Sequence, residues 1–389
     1  MDKHATSPEK ARKAHIASKL CVTCEPFLQN VLNFMVEENP SAYTSISSLG
    51  EFGLIDRLTK KVSPRQQRTL KGVGDDAAVV KATDGKVQVF SSDMLVEGVH
   101  FELGYMPLRH LGYKAVAVNV SDIAAMNAQP YGVTVSIAVS SRFSVEALDE
   151  LYEGINLACE KYGIDLLGGD TTSSTSGLVI SVTAFGEESQ EKLTYRSGAQ
   201  PKDLICVSGD VGAAYAGFLV LDRERQVFLK DPSMQPDLTD YDYVAGRQLR
   251  PDARMDVVNR LAQLGVQPTA MIDVSDGIAS ELHHICHQSK KGATIYSNKL
   301  PIDHQTMKVG EEFEISPVTF ALNGGEDYEL LFTVPLQDFD KIKSEVGITI
   351  IGHITDEPGQ LHIVLDSGEV VELTAQGWEH FPKEEKEEQ

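Results

Sequence analysis

With 389 residues, 42% of them apolar and 24% charged, the chain has the length for two globular domains with a substantial core and a composition that is neither fibrous nor disordered. Its 57 acidic and 35 basic side chains leave a formal charge of −22, which repels a phosphate backbone and excludes nucleic acid as a partner. No apolar run reaches the ~20 residues of a bilayer-spanning helix, no apolar signal core follows the N-terminus, and five irregularly spaced cysteines give no disulfide framework, so no membrane association and a cytoplasmic setting are expected.

Residues 1–48 read as a helical extension, with Ile16, Leu20, Phe27, Val31, Leu32 and Met35 as its apolar positions and Pro26 dividing it. Cys21 and Cys24 form a CxxC without a second ligand pair, which fits a helix face better than a zinc site. From residue 72 onward, runs rich in Val, Ile and Phe alternate with helical stretches. Strands are predicted at 77–81, 86–91, 132–138, 178–186, 203–208, 328–334 and 348–354. Helices are predicted at 107–119, 120–127, 144–161, 211–223, 252–264, 277–288 and 336–345; the 144–161 segment opens on Ser144, a capping residue, and keeps Leu148, Leu151, Ile155 and Ala158 on one face. Residues 197–203 read as a linker and 224–246 as a long connection. The expected organisation is a helical extension (1–48), an N-terminal α/β domain that binds nucleotide and metal and dimerises (49–190), a C-terminal α+β domain (191–381) and an acidic tail (382–389), a two-domain α/β and α+β fold.

One pattern recurs: an apolar run closes on small residues and then Asp. It occurs at Ser91-Ser92-Asp93, Ser121-Asp122, Gly168-Gly169-Asp170 and Asp273-Val274-Ser275-Asp276, with Gly74-Asp75-Asp76 ahead of a strand. Taken singly, each Asp is more simply a turn or cap residue. Together they describe carboxylates meeting on one rim, which would repel one another unless cations sat between them. Oxygen ligands select magnesium, manganese or calcium, and magnesium is usually shared with substrate phosphates. No GxxxxGK[ST] loop and no HRD or DFG motif is present, and GVGDDA (72–77) precedes a strand where a dinucleotide fingerprint would follow one.

In chain order, GEFGLI from residue 50, GVGDDAAV (72–79), SSDMLVEGVHF (91–101), YKAVAVNVSDIAAMNAQP (113–130), LLGGDTT (166–172), SVTAFG (181–186), RSGAQPKD (196–203), MIDVSDGIASEL (271–282), ALNGGEDYELLFTV (321–334), IGHI (351–354) and GWEHF (377–381) resemble the thiamine-monophosphate kinase family. The resemblance covers roughly residues 50–381. It implies the aminoimidazole-ribonucleotide-synthetase-like fold, a homodimer, and transfer of the ATP γ-phosphoryl group to thiamine monophosphate with several Mg2+ ions. It further implies metal positions at Asp76, Ser91, Ser92, Asp93, Asp122, Asp170, Asp273 and Asp276, with Asp76, Asp93, Asp122, Asp170 and Asp273 catalytic. Nucleotide contacts are implied at Tyr152, Gly169, Asp170, Arg196 and Ser275, and substrate contacts at His100, Glu326 and Trp378. The chain departs from the family in its long N-terminal extension, its 224–246 connection and Asn127, which stands where relatives commonly carry Gly.

The acceptor implied is a phosphate monoester, already mostly dianionic near neutral pH, so direct in-line transfer without a strong general base is expected. Two alternatives remain open at this point. One is a different ATP enzyme of the superfamily, of the aminoimidazole ribonucleotide synthetase or selenophosphate synthetase type. The other is a non-catalytic thiamine-phosphate-binding protein.

Overall fold

The computed structural model describes residues 49–83 and 85–375. Helix α1 (Gly50–Thr59) closes on a Thr59 hydroxyl that donates to the Ile55 carbonyl at 2.8 Å. The remaining described residues, from Lys61 onward, form a separate compact unit built on two sheets.

The first sheet comprises β1 (Thr69–Lys71), β2 (Ala78–Lys81), β3 (Lys86–Val96), β4 (Gln129–Val139), β5 (Asp165–Ser173) and β6 (Val179–Ser189), in the order β1-β2-β3-β6-β4-β5. All neighbours are antiparallel except β4 and β5. Alternation puts Val87, Val89, Ser91 and Leu95 of β3 on the same face as Ile180, Val182 and Ala184 of β6 and Val133, Val135 and Ile137 of β4, all buried. Two helices, α2 (Leu108–Ala125) and α3 (Val145–Tyr162), belong to this half, and their buried residues join the same core. The Ser144 hydroxyl accepts the Ala147 N–H at 3.2 Å, the cap that the sequence announces, and Gly163 ends α3 with φ 66°. The two helices cross in near backbone contact. A Cβ on Gly112 would sit 2.0 Å from the Leu151 carbonyl oxygen, and one on Gly154 would sit 1.9 Å from that of Arg109, so only glycine fits at either point.

The second half carries β7 (Leu204–Ser208), α4 (Ala213–Lys230), α5 (Asp242–Leu249), α6 (Met255–Leu264), β8 (Ala270–Asp273), α7 (Ile278–Ser289), β9 (Gly292–Tyr296), α8 (His304–Phe313), α9 (Pro317–Asn323), β10 (Leu330–Val334), α10 (Phe339–Ile342), β11 (Ile348–Thr355), β12 (Leu361–Val364) and β13 (Val370–Glu372). Its sheet runs β13-β12-β9-β11-β7-β10-β8, antiparallel apart from β9 and β12. The two halves share α2, whose Ala124 and Ala125 pack into a core with Cys206, Met271, Leu330 and Phe332 of the second half. Burial on both sides explains why α2 lacks a polar face over most of its length.

Several predicted elements change. Residues 107–127 are not two helices: Ser121 and Asp122 lie inside the single helix α2, where partners from both halves satisfy them. The strand predicted to stop at 91 continues to Val96, and Leu166–Asp170 is strand rather than turn. The long connection shrinks to residues 231–241, because α4 runs to Lys230 and α5 starts at Asp242. Helix 336–345 reduces to a 3-10 turn followed by α10. Asn127 adopts φ 55° just beyond α2, a left-handed position that Asn tolerates better than most residues, and its amide donates to the Lys192 carbonyl at 2.8 Å. No described helix is long and apolar enough to cross a membrane.

Candidate metal and phosphate site

Carboxylates from both halves meet where α2 joins the two sheets. Asp76 comes from the loop before β2, Asp93 from β3, Asp122 from α2 and Asp273 from the end of β8. Oxygens of Asp76, Asp122 and Asp273 all lie within 4.8 Å of one another. A neighbour orients one oxygen of each. Arg196 donates to Asp76 Oδ1 from Nε (3.1 Å) and Nη2 (2.7 Å), and the hydroxyl of Ser121 donates to Asp273 Oδ2 at 2.7 Å. Ser91 donates to Asp122 Oδ2. The Asp93 carboxyl contacts that of Asp122, and its backbone N–H donates to Asn119 Oδ1 at 3.0 Å.

Burial makes this grouping unfavourable for bare carboxylates. Asp76 is pushed up to about 6 by burial, against the lowering pull of Arg196. Asp273 rises to about 7, through burial and then the nearby charge of Asp76. Asp122 rises well above the carboxylate range, through burial and then the charges of Asp93, Asp273 and Asp76. Asp76 Oδ2 is buried without a hydrogen-bond partner. Three hard oxygen donors, close together and short of positive charge, fit a divalent cation of the magnesium or calcium class.

Around this centre, Ser275 and Asp276 occupy the turn between β8 and α7. Glu281 of α7, only 2% exposed, accepts the Asp276 N–H at 2.9 Å and the Ser275 hydroxyl at 3.3 Å. Glu326 packs on the same turn, its N–H donating to the Ser275 carbonyl at 2.7 Å. Its carboxylate faces Lys114 Nζ at 3.0 Å and accepts from Gln248 Nε2 at 2.6 Å. His100 follows β3, and its Nδ1 accepts the Val96 N–H at 3.0 Å, which places the ring proton on Nε2 when the imidazole is neutral.

Other expected residues lie elsewhere. Asp93 shares a register row with Val182, Val135 and Gly169, so Gly169 is three strand spacings away, roughly 14 Å. Gly169 itself cannot carry a side chain, since its Cβ would lie 1.7 Å from the Val135 carbonyl oxygen. Ser92 and Asp170 point to the opposite face of the sheet from Asp93, and the Ser92 hydroxyl bonds to the Val182 carbonyl (3.2 Å) and the Thr183 hydroxyl (3.1 Å). The expectation of one common rim therefore fails for these two side chains within a single chain. Tyr152 packs on the first core from α3, and Trp378 lies outside the described residues. Ser121, Asn119, Lys114 and Glu281 are not among the site residues expected from the sequence. Ser121 and Asn119 flank the acidic motif at Asp122, whereas Lys114 and Glu281 carry no local signal, and only the tertiary fold brings them in.

Residues 74–187 match the AIR synthase related protein N-terminal domain and residues 201–364 the corresponding C-terminal domain. The chain is 35% identical over 338 residues to the thiamine-monophosphate kinase of Bacillus subtilis, covering 86% of this chain and all of that one. Among solved structures, it superposes on AaThiL complexed with AMPPCP and TMP with a TM-score of 0.73 and 31% identity, covering 87% of this chain and 100% of that one. It also superposes on thiamine-monophosphate kinase from Stenotrophomonas maltophilia with a TM-score of 0.64 and 33% identity, covering 83% and 98% of the two chains. With both halves matched in order and nearly whole relatives covered, the chain belongs to the AIR synthase-related family and, within it, to the ATP-dependent thiamine-monophosphate kinases.

Proposed function

We propose that the chain transfers the γ-phosphoryl group of ATP directly to the phosphate of thiamine monophosphate, giving thiamine diphosphate and ADP, in a magnesium-dependent reaction. The observation that carries this reading is the convergence of Asp76, Asp122 and Asp273 from separate elements of both halves. These three, with Asp93 beside them, would hold the cation, and Ser91 and Asp276 stand close enough in sequence to contribute. When bound, magnesium supplies charge that screens two anionic reactants and stabilises the transferred group.

The chain's own residues supply the rest. Arg196 fixes Asp76 and can offer a remaining N–H edge to a nucleotide phosphate. Ser275, at the turn before α7, is proposed as a further nucleotide contact, with Gly169 and Tyr152 as contacts from the first half. His100, Glu326 and Trp378 are proposed to hold the thiamine substrate. No side chain is needed as a strong base, because the acceptor phosphate has a second pKa of about 6 and arrives largely ionised.

A homodimer belongs to the same proposal. Ser92 and Met94 of β3, Ser136 of β4 and Thr172 of the edge strand β5 stay exposed on the sheet face opposite the core. A second copy covering that face would surround Ser92 and Asp170, making their part in cation binding depend on assembly. A cytoplasmic setting is proposed with it, in keeping with Cys159, Cys206 and Cys286, which are free and buried.

The test is a coupled assay with thiamine monophosphate, ATP and magnesium. ADP and thiamine diphosphate are expected in equal amounts, with inversion at the transferred phosphorus. Absence of substrate-dependent ADP release would refute the kinase reading, and net retention would refute direct transfer.

A further inference from the structure

Lys114 is a buried cation with a narrow set of partners. It lies on α2 with its side chain 1% exposed, and Nζ reaches the Gln248 carbonyl and Glu326 Oε1, each at 3.0 Å. An ammonium group so enclosed is tolerated only when paired. The pair joins the two halves, since α2 belongs to the first and Glu326 to the second.

Glu326 is held at three points. Oε1 faces Lys114, Oε2 takes the Gln248 amide, and the backbone N–H donates to Ser275. Its φ of 58° is uncommon for a residue with a long side chain, and Gly325 (72°) and Tyr328 (52°) share the left-handed region nearby. Such strain persists only where the surroundings impose it. The Glu326 side chain nevertheless stays 31% exposed, so lone pairs of its carboxylate remain reachable by a ligand.

Helix α2 also carries Asp122, eight residues beyond Lys114 and about 12 Å along the axis. One rigid helix thereby sets a carboxylate for the cation and the counter-ion of Glu326. Resting on the proposed kinase reading, we infer that Lys114 is a positioning residue that fixes Glu326 and balances its charge. The neutralised, oriented carboxylate then acts as a hydrogen-bond acceptor for the amino group of the substrate's aminopyrimidine, and contributes little as a counter-charge to the thiazolium. Gln248 is the second arm of the same clamp.

The experiment compares wild type, Lys114→Met and Gln248→Met with thiamine monophosphate and with its 4-oxo analogue, in which the pyrimidine amino group is replaced. Wild type should prefer the amino substrate by roughly tenfold or more in kcat/KM. Each variant should raise KM for thiamine monophosphate about tenfold, with kcat and the KM for ATP near wild type, and should lose most of the preference over the 4-oxo compound. A variant that keeps both the KM and the preference overturns the inference. So does one whose ATP and thiamine monophosphate KM values rise together, which is the mark of general disruption. Should Lys114→Met fail to fold, Gln248→Met decides alone. Wild type inactive with thiamine monophosphate would instead refute the kinase reading itself, a result distinct from either outcome above.

Discussion

A serine hydroxyl holds Asp122 and another holds Asp273, whereas a guanidinium holds Asp76. Arg196 grips Asp76 with two N–H groups on a single oxygen and leaves the other oxygen buried and unpartnered. Lysine can match the charge but not the planar fork. Arg196→Lys is therefore expected to raise, by roughly tenfold, both the KM for ATP and the magnesium concentration at half-maximal rate; steady-state kinetics that move neither would remove Arg196 from the site. The acids themselves were legible in the sequence, because Asp after small residues recurs too often to be only turn punctuation. Their settings were not. Asp93 and Asp170 sit inside strands and Asp122 inside a helix, and strand alternation sends Asp170 to the face opposite Asp93. A motif records neighbours along the chain, whereas facing is set by register. Lys114 shows the same limit, because nothing near Tyr113 in sequence marks its charge as buried against Glu326.

At the scale of elements, α2 carries the site. Its C-terminal half is packed by both halves of the protein, and the Gly112–Gly154 crossing with α3 fixes its height on the first sheet. Gly112→Val would drive a branched side chain into the Leu151 carbonyl and should lower thermal stability, by an order of 1–3 kcal/mol or more for an overpacked contact. It should also slow turnover by displacing Asp122. An unchanged melting temperature would show that the crossing can relax. Read from the sequence, this helix divides between residues 119 and 120. The division disappears once Ser91 and Asp273 are seen to bond Asp122 and Ser121 from the two sheets. Strands β1, β5, β8, β9, β12 and β13 are missing from the sequence reading because each is short or polar and carries weak periodicity; β1, β5, β8 and β13 are also sheet edges, where a single neighbour decides the pairing.

For the molecule as a whole, the cation links fold to chemistry. Asp76 and Asp273 bind protons more tightly folded (about 6 and about 7) than unfolded, near the ordinary value of 3.8. Folding of the metal-free chain then takes up protons. Stability from these groups is fullest below about pH 4 and declines as pH rises toward about 7, where the buried carboxylates must ionise. A divalent cation replaces those protons. Magnesium should accordingly raise the melting temperature more at about pH 8 than at about pH 5, and Asp122→Asn should shrink that difference. An equal shift at both values would argue against a shared site. The two-domain alternation of strands and helices was readable from the apolar pattern. The meeting of the halves on α2 was not, since it depends on which buried residues face which sheet.

The most direct measurement is the rate of ADP formation from ATP and thiamine monophosphate as magnesium is varied, for wild type and for Asp273→Asn. The account predicts a saturable dependence on magnesium in wild type and a rate at least about a hundredfold lower in the variant at ordinary magnesium, with the fold retained. Turnover in Asp273→Asn equal to wild type across the titration would contradict it.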